Sequence, residues 1–520
     1  MAKLPRYPLP DFGDVIFLLI FYFLLFTVPK FVFGDGSTGW HLVTGQFILN
    51  NHIIPHTDLF SYTHPGAPWV AYEWLSDLCA AAAERLAGLN GVAIAASAII
   101  ASIFLLLYER CRRCGMNFPL AVFLIVVASL ASSIHWLARP HIFTFLGVYI
   151  FATVLEDFHR GRIGRVRLLA VLASSMVLWV NLHPGFLLGF ALIAIYLCCE
   201  LVASICLKHD AGGSESLRRA KWFAIALVEL FVVTLANPYS FNLYRYIAHY
   251  LGNSQIIYIT NEFASPVFHG GVQATCLEVV FLFVVLSLAI TRVRPSFPQL
   301  ITCLAFAHLA LSGVRNSTVF VIVALPFIAD LIRDVRLPFN GQRMEGQEAL
   351  WMQVVGKRWR AFCQSFDEQE SLCQMHILPV AAVVLVWFAS VTAGAGSSKN
   401  LLDCGFNPNT MPTATLSYIQ GKKLPPAHGF NFDNWGGYIY YRLGMPVFID
   451  DRLDFYGKKF FLDYGKIVQL EPGWSDLLDR YRINWIIFPK NSPLCQRLRE
   501  SQHWRLACED KAADLFVRND

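Results

Sequence analysis

The chain has 520 residues, of which 55% are hydrophobic and only 15% are charged, and its mean hydropathy is +0.47. This composition excludes an ordinary soluble domain and indicates an integral membrane protein. The formal net charge of +5 is small for this length, and in a membrane protein the side on which charges lie matters more than their sum. We expect membrane lipid around the chain and no nucleic-acid partner.

Apolar runs of the length that crosses a bilayer, roughly 17 to 25 residues, follow one another along most of the chain. They predict about eleven membrane helices, near residues 12–33, 90–108, 118–135, 141–158, 168–182, 186–207, 220–236, 274–291, 297–313, 317–332 and 377–394. The neighbouring runs 168–182 and 186–207 are also compatible with a re-entrant hairpin. The first run lacks a small-residue cleavage site and is an anchor rather than a signal peptide.

Lys and Arg residues lie mostly on one side of these predicted helices. With a cytoplasmic N-terminus, the inside segments hold 21 of them, and the outer ends and loops before the last helix hold five. Cytoplasmic segments of membrane proteins carry this excess, so the pattern predicts an N-in, C-out topology. The loop 34–89 and residues 395–520 are then outside, and the loop 333–376 is cytoplasmic.

The chain changes character after the transmembrane domain, residues 1–394. Short apolar runs bounded by Gly, Pro, Asn and Asp alternate with helix-like stretches, which predicts a small extracytoplasmic α/β domain over residues 395–520. A Gly/Ser-rich linker at 394–398 joins the two. Cys495 and Cys508 lie on the outer side, where a disulfide between them is permitted. Cys111 and Cys114 have no second pair and are more typical of two thiols than of a zinc half-site.

Asp35 lies within a few residues of the end of the first apolar run. Gly34 and Gly36 flank it, and Gly39 follows. Glycines let the backbone turn sharply, which would bring the carboxylate to the bilayer edge. A carboxylate at that place is suited to act as a general base or to bind a metal. The alternative is local: Asp35 or Ser37 could cap a helix that starts at Trp40.

Four histidines of the same loop suggest a metal site, but their spacing matches no zinc pattern, so we do not favour one; they are His41, His52, His56 and His64. Asp58 follows Pro55 and is typical of a turn. Glu73 precedes an amphipathic segment, residues 76–86, which could lie along the membrane interface. A catalytic role and a capping or salt-bridge role both remain open for Glu73.

Several outer helix ends carry a polar residue beside a helix-breaking Pro or Gly, as at Arg139, His183 and Arg315. Arginines are scarce on the outer side of this chain, and an interfacial Arg is well suited to pair with a phosphate. The alternative for both arginines is snorkelling, or pairing with an internal acid such as Glu278.

Residues with a family resemblance lie in the first outer loop, at these helix ends and in the tail. They are Asp35, Trp40, His41, Thr44, Gly45, Ile54, Pro55, Asp58, Phe60, Ser61, Tyr62, Trp69, Glu73 and Trp74, then Arg139, Pro140, Trp179, Asn181, His183, Asn237, Pro238, Arg315 and Asn316, and the runs 435–438 and 446–452. This set resembles a group of bacterial polytopic membrane proteins, the glycosyltransferase-like proteins of the GT-C superfamily.

The resemblance implies a mainly α GT-C fold, with about eleven or more membrane helices, an acidic catalytic residue in the first outer loop and a C-terminal outer domain. It implies transfer of a sugar from a polyprenyl-phosphate donor to a glycan, lipid or protein acceptor outside a bacterial cytoplasmic membrane. Asp35 matches the position of the acidic residue. Ser37 stands where a second acid is expected, which favours a general base without a metal or other cofactor.

In that mechanism Asp35 takes the proton of the acceptor hydroxyl, and Arg139 or Arg315 stabilises the departing lipid phosphate. The other substrate-binding candidates are Trp40, His41, Asp58, Glu73, Trp74 and His183. The tryptophans of this set, Trp40 and Trp74, could stack on a sugar ring, or simply belong to the aromatic belt of the interface.

Two other classes of protein fit the sequence. A transporter or flippase would line a path with the polar helix ends, but deep charges are few, with Glu229 the main one, and no inverted repeat is visible. A non-catalytic envelope assembly protein would use its outer domain to bind polysaccharide or a partner.

Overall fold

The structure is a computed structural model that describes residues 10–208, 211–252, 264–333, 347–372, 376–396, 401–422 and 428–519. Residues 1–9, with Lys3 and Arg6, lie outside the described residues. So do residues 334–346 and 373–375 of the predicted cytoplasmic loop and residues 397–398 of the predicted linker.

Helices dominate the described chain. In chain order they are α1 (Phe12–Tyr22), α2 (Ser37–Asn51), α3 (Trp74–Arg113), α4 (Phe118–Ser132), α5 (His141–His159), α6 (Arg165–Leu182), α7 (Leu187–Cys206), α8 (Ala211–Thr234), α9 (Phe241–Gly252), α10 (Val272–Ile290), α11 (Phe297–Ser312), α12 (Ser317–Ile332), α13 (Gln347–Leu372), α14 (Ile377–Gly396), α15 (Thr413–Lys422), α16 (Gly436–Leu443), α17 (Leu453–Gln469), α18 (Trp474–Arg480) and α19 (Pro493–Arg499).

Every predicted apolar run overlaps one of these helices. Within the described residues, seven helices are long and apolar enough to cross a membrane, among them both members of the suspected re-entrant pair, Arg165–Leu182 and Pro184–Cys206. Shorter apolar helices cover Phe12–Thr27, Phe297–Ser312 and Ile377–Thr392. The protein is therefore a multi-pass membrane protein with a mainly helical fold.

The predicted amphipathic segment 76–86 forms the first part of the long helix α3. The helix breaks at Ala87 and Gly88, where Gly88 has a φ of +59° that suits glycine. This break separates the segment that follows the outer loop from the apolar part that continues to Arg113.

The predicted α/β character of the tail is confirmed by a four-stranded sheet. Its strands are β1 (Gly429–Asn431), β2 (Trp485–Pro489), β3 (Trp504–Glu509) and β4 (Ala513–Arg518), in the order β1-β2-β4-β3. Strands β1 and β2 run parallel, whereas β4 is antiparallel to both of its neighbours. Phe488 and Phe516 of β2 and β4 pack with α17 to α19 in one buried cluster.

Close backbone contact joins α2 to α16 across the sequence. A Cβ atom on Gly39 would lie 2.4 Å from the carbonyl oxygen of Gly437, and one on Gly36 would lie 2.0 Å from that of Asn434. The glycines around Asp35 therefore allow two backbones to touch. The predicted sharp turn does not explain them, because Gly36 has an ordinary helical φ of −73°.

The suggested disulfide is wrong, since Cys495 and Cys508 are both free thiols. Cys495 is buried in α19 with its Sγ 3.6 Å from the carbonyl oxygen of Phe488, whereas Cys508 lies on β3. Cys111 and Cys114 are also free and buried.

Candidate functional site

Asp35 lies in the turn that precedes α2 and is only 9% exposed. Its Oδ1 atom accepts hydrogen bonds from the backbone nitrogen of Ser37 at 2.8 Å and from the Ser37 hydroxyl at 2.7 Å. Its Oδ2 atom pairs with Nη1 of Arg139 at 2.6 Å. The helix starts at Ser37 rather than Trp40. Asp35 therefore bonds to the first turn of α2 and also pairs with Arg139, which lies far away in the sequence.

Arg139 is held beside Asp35 by the segment that leads into α5. The backbone nitrogen of Ala138 donates to the carbonyl oxygen of Val32, and the Thr38 hydroxyl donates to that of Ala138. The helix-breaking Pro140 follows and starts the next helix. The pairing with an internal acid that the sequence left open for Arg139 is thus present, and the acid is Asp35.

A second acid reaches this centre from the tail. Asp451 lies with its Oδ2 atom 4.0 Å from Nη2 of Arg139, and its Oδ1 atom accepts a hydrogen bond from the Trp40 indole at 2.9 Å. Burial, followed by the neighbouring charge of Asp35, raises the pKa of Asp451. Asp451 belongs to the run 446–452 that carries the family resemblance, but nothing in the sequence indicates that it meets Asp35.

Asp58 is bound to the adjacent Arg452 and does not face the Asp35 centre. Its carboxylate accepts from the backbone nitrogens of Phe60 and Ser61, and Nη2 of Arg452 lies 2.7 Å from its Oδ1. Arg452 also pairs with Asp450, and the rings of Phe60 and Trp69 cover its guanidinium at 4.5 and 4.7 Å. This buried network joins the loop 34–89 to the tail.

His41 is paired with an acid that the sequence did not single out. Its Nδ1 atom lies 2.7 Å from Oδ1 of Asp77, and both side chains are almost fully buried. Burial, followed by the charge of Arg139, lowers the pKa of His41 well below its usual value, which keeps the ring neutral at pH 7. Asp77 lies four residues after Glu73, so a helical reading of this segment would have placed both acids on one face.

Glu73 and His183 form a second buried pair, with Oε1 and Nε2 at 3.5 Å. The backbone nitrogen of Gly185 donates to Nδ1 of His183, so the ring proton lies on Nε2 and points to Glu73. Burial raises the pKa of Glu73 to about 8, against the opposing charge of Arg139. Burial also lowers the pKa of His183.

Trp74 and Arg315 are the remaining predicted residues of this region. The indole of Trp74 donates to Oδ1 of Asn181 at 2.9 Å, which fixes it to the end of α6. Arg315 is in a short 3-10 turn before α12, and its charge acts on both Glu73 and His183. The predicted arginines and the Glu73 region therefore belong to one charged centre.

A small cavity adjoins Glu73. It is lined by side chains that include Trp69, Glu73, Asp77, Arg452 and Asp454. Oδ2 of Asp77 and Nη1 of Arg452 are buried without a hydrogen-bond partner among the described residues. Buried polar atoms are nearly always satisfied, so these two suit a water molecule or a ligand hydroxyl.

A larger groove opens beside Arg139 and encloses about 590 Å³, counting the part open to the outside. Its polar lining comes from the start of α2, the start of α3 and Arg139. Its apolar lining comes from the membrane part of α3 and from α5, through Val92, Ala95, Ala96, Ile99, Ile142 and Phe143. The groove thus joins a positively charged group to an apolar surface.

The other loop histidines do not join this centre. The His56 ring packs edge-on to Tyr239 at 5.2 Å, His64 packs against Phe460 at 4.8 Å, and His52 ends α2 in a left-handed conformation. Among the described residues, the group suited by distance to a metal ion lies elsewhere, at Asp11, Glu109 and His376.

Comparisons by sequence gave no match, either to a family model or to a curated protein. Comparison by structure found the oligosaccharyltransferase of Archaeoglobus fulgidus, at 13% identity and a TM-score of 0.57, with 92% of this chain and 69% of that one covered. It also found ArnT from Cupriavidus metallidurans at 13% identity, both bound to undecaprenyl phosphate (TM-score 0.50) and in the apo state (TM-score 0.52), with 97% of each chain covered.

The superposition on these two proteins extends over nearly the whole chain, from the apolar helices to the tail. At 13% identity it establishes the fold and not the reaction. The architecture expected from the resemblance of the first outer loop is confirmed: the chain has a GT-C-like fold.

Proposed function

We propose that this protein transfers a sugar from a polyprenyl-phosphate donor to an acceptor outside the cytoplasm. The observation that carries the proposal is the groove, which places Arg139 beside an apolar surface, with Asp35 paired to the same arginine. A lipid phosphate has this combination of an anionic group and a long apolar chain. ArnT, which shares the fold, was crystallised with undecaprenyl phosphate.

The groove fits such a donor part by part. The phosphate pairs with Arg139, because a guanidinium donates two parallel hydrogen bonds to phosphate oxygens. The isoprenoid chain lies on the apolar side of the groove, along Val92 and Ile99 of α3. This arrangement leaves the sugar at the polar side, near Asp35 and His41.

The reaction needs a base for the acceptor and a stabiliser for the leaving group. The acceptor oxygen attacks the anomeric carbon, its proton passes to Asp35, and the bond from that carbon to the phosphate oxygen breaks. The lipid phosphate leaves with the electron pair of that bond, and Arg139 and Arg315 stabilise its charge.

No metal or other cofactor enters this proposal. Both oxygens of Asp35 are already engaged by Ser37 and Arg139, and the nearby acid Asp451 bonds to Trp40. The positive charge that the phosphate needs comes from Arg139 and Arg315 in this proposal.

The proposed topology places the site where such a donor is available. With an N-in, C-out orientation the first outer loop and the tail face the outside of a bacterial cytoplasmic membrane, and Asp35 and Arg139 lie on that side. The acceptor is a hydroxyl group of a glycan, lipid or protein, and the unpartnered atoms of Asp77 and Arg452 could bind hydroxyls next to the site.

Transfer from a mixed pool of radiolabelled polyprenyl-phosphate sugars tests this function. Purified wild-type protein, supplied with membrane extract as the source of acceptor, should release label from one donor. Asp35→Asn should lower the rate by at least about a hundredfold, because a positioned general base contributes roughly that factor. Asp403→Asn, at an exposed aspartate paired only with Lys30, is the matched control.

Two results would contradict the proposal. One is transfer that Asp35→Asn leaves unchanged. The other is the absence of transfer from every donor, with extracts that support a known transferase in parallel, which would favour the non-catalytic assembly protein.

A further inference from the structure

Arg139 has two competing uses in the structure. Its Nη1 atom lies 2.6 Å from Oδ2 of Asp35, and the same side chain lines the groove that suits a lipid phosphate. The side chain of Arg139 is 23% exposed and the side chain of Asp35 is 12% exposed, so both groups remain accessible. An anion that enters the groove therefore meets an arginine already paired with a carboxylate.

The pair with Arg139 makes Asp35 unsuited to accept a proton. Oδ2 faces the guanidinium, and Oδ1 already accepts two hydrogen bonds from Ser37. Neither oxygen is therefore free to accept the proton of an acceptor hydroxyl. Asp35 can act on the acceptor only if Oδ2 is released.

We infer that the donor phosphate displaces Asp35 from Arg139, so that the base is released only when a donor occupies the groove. This inference rests on the proposed function, since it takes the lipid phosphate as the incoming anion. Arg139 then has two roles: it binds the phosphate, and it holds Asp35 inactive in the empty protein. Such an exchange prevents Asp35 from acting as a base before the sugar is in place.

Competition for one arginine has a thermodynamic consequence. If Asp35 must give up Arg139 for the phosphate to bind, removing the Asp35 charge should tighten phosphate binding. Simple repulsion between Asp35 and the phosphate has the same sign. The two explanations differ in one respect, because only competition requires Arg139.

A double-mutant cycle separates them, with undecaprenyl phosphate as the probe. Its affinity is measured by native mass spectrometry on the full chain in nanodiscs, for wild type, Asp35→Asn, Arg139→Met and the double variant. We expect Asp35→Asn to tighten binding about fivefold, the size of a modest ion pair. In the Arg139→Met background the same change should alter the affinity by less than about twofold.

Asp403→Asn is the matched control, because it changes an exposed carboxyl that pairs with Lys30 and lies outside the groove lining. It should alter the affinity by less than about twofold. Thermal unfolding of each variant confirms that it is folded.

The inference is overturned if Asp35→Asn weakens binding, or if it tightens binding equally in both backgrounds. Either result leaves the proposed function in place, since the lipid still binds. Failure of the folded wild-type protein to bind undecaprenyl phosphate removes the proposed function and this inference together.

Discussion

Glu73 is buried where its carboxyl group keeps its proton to a higher pH than usual. Burial raises its pKa to about 8, from 4.5 in an unfolded chain. Between these values the unfolded chain has lost the proton and the folded protein has kept it, so stability should fall as the pH rises from 4.5 to 8 and then level off.

Glu73→Gln should remove this loss, because an amide does not ionise. The stability of the variant relative to wild type should therefore increase as the pH rises, by about 5 kcal/mol at pH 9, with little difference at pH 4.5. Thermal unfolding in detergent at both pH values measures this. Glu471→Gln, at an exposed position, is the control, and wild-type and Glu73→Gln curves that stay parallel would contradict the burial argument.

At the scale of single residues, the sequence predicted the carboxylate and the cation of the site but not their neighbours. Asp35 and Arg139 were singled out by their positions at the ends of predicted helices. Asp451 could not be placed, because the chain brings it to Trp40 across 411 positions. For Arg139 the sequence leaves a phosphate and an internal acid open as partners, and in the structure it pairs with Asp35.

At the scale of elements, the packing of α2 against α16 depends on glycines, because a Cβ atom at these positions would push the two helices apart. Gly39→Ala would place a methyl group 2.4 Å from the carbonyl oxygen of Gly437. The two helices must then move apart, which we expect to cost about 2 kcal/mol or more and to lower the melting temperature clearly.

Gly465→Ala is the matched control for this contact between α2 and α16. Gly465 lies inside α17, and nothing lies within 4 Å of the position its Cβ would take. Alanine has the higher helix propensity, so this variant should melt at the same temperature as wild type or slightly above it. Equal melting of Gly39→Ala and Gly465→Ala would show that the close approach does not matter.

The helices themselves were the most predictable part of the fold, because a bilayer requires long apolar runs. Their ends were less so: the first run continues as helix only to Thr27, through a π-helical turn at Phe23–Thr27. The break of α3 at Ala87 and Gly88 was implied by the change from amphipathic to apolar character. The close contact of α2 with α16 joins segments that are distant in sequence, and no local sequence pattern predicts it.

At the scale of the whole molecule, Arg452 joins the first outer loop to the tail. Arg452→Met would leave Asp58 and Asp450 buried without their cation, which we expect to cost about 3–5 kcal/mol. Limited proteolysis should then cut within residues 34–75 at a lower temperature than in wild type. Arg442→Met, at an exposed position of α16, should not change the cleavage, and equal resistance of both variants would contradict the role given to Arg452.

The N-in, C-out topology is tested by cysteine labelling of intact cells. Asp476→Cys in α18 should react with a membrane-impermeant maleimide, and Arg162→Cys after α5 should react only after the cells are opened; both positions are exposed. Peptide mass spectrometry identifies the labelled site, because the chain has 13 cysteines of its own. The reverse pattern would place the proposed site on the wrong face.

The claim that Asp35, Arg139 and the groove form one donor site is tested most directly by a cryo-EM map of the protein in nanodiscs with undecaprenyl phosphate. We predict phosphate density within hydrogen-bond distance of Arg139, with the chain along Val92 and Ile99 and with Asp35 no longer paired to Arg139. Lipid density at another site, with this groove empty in the same map, would contradict the account.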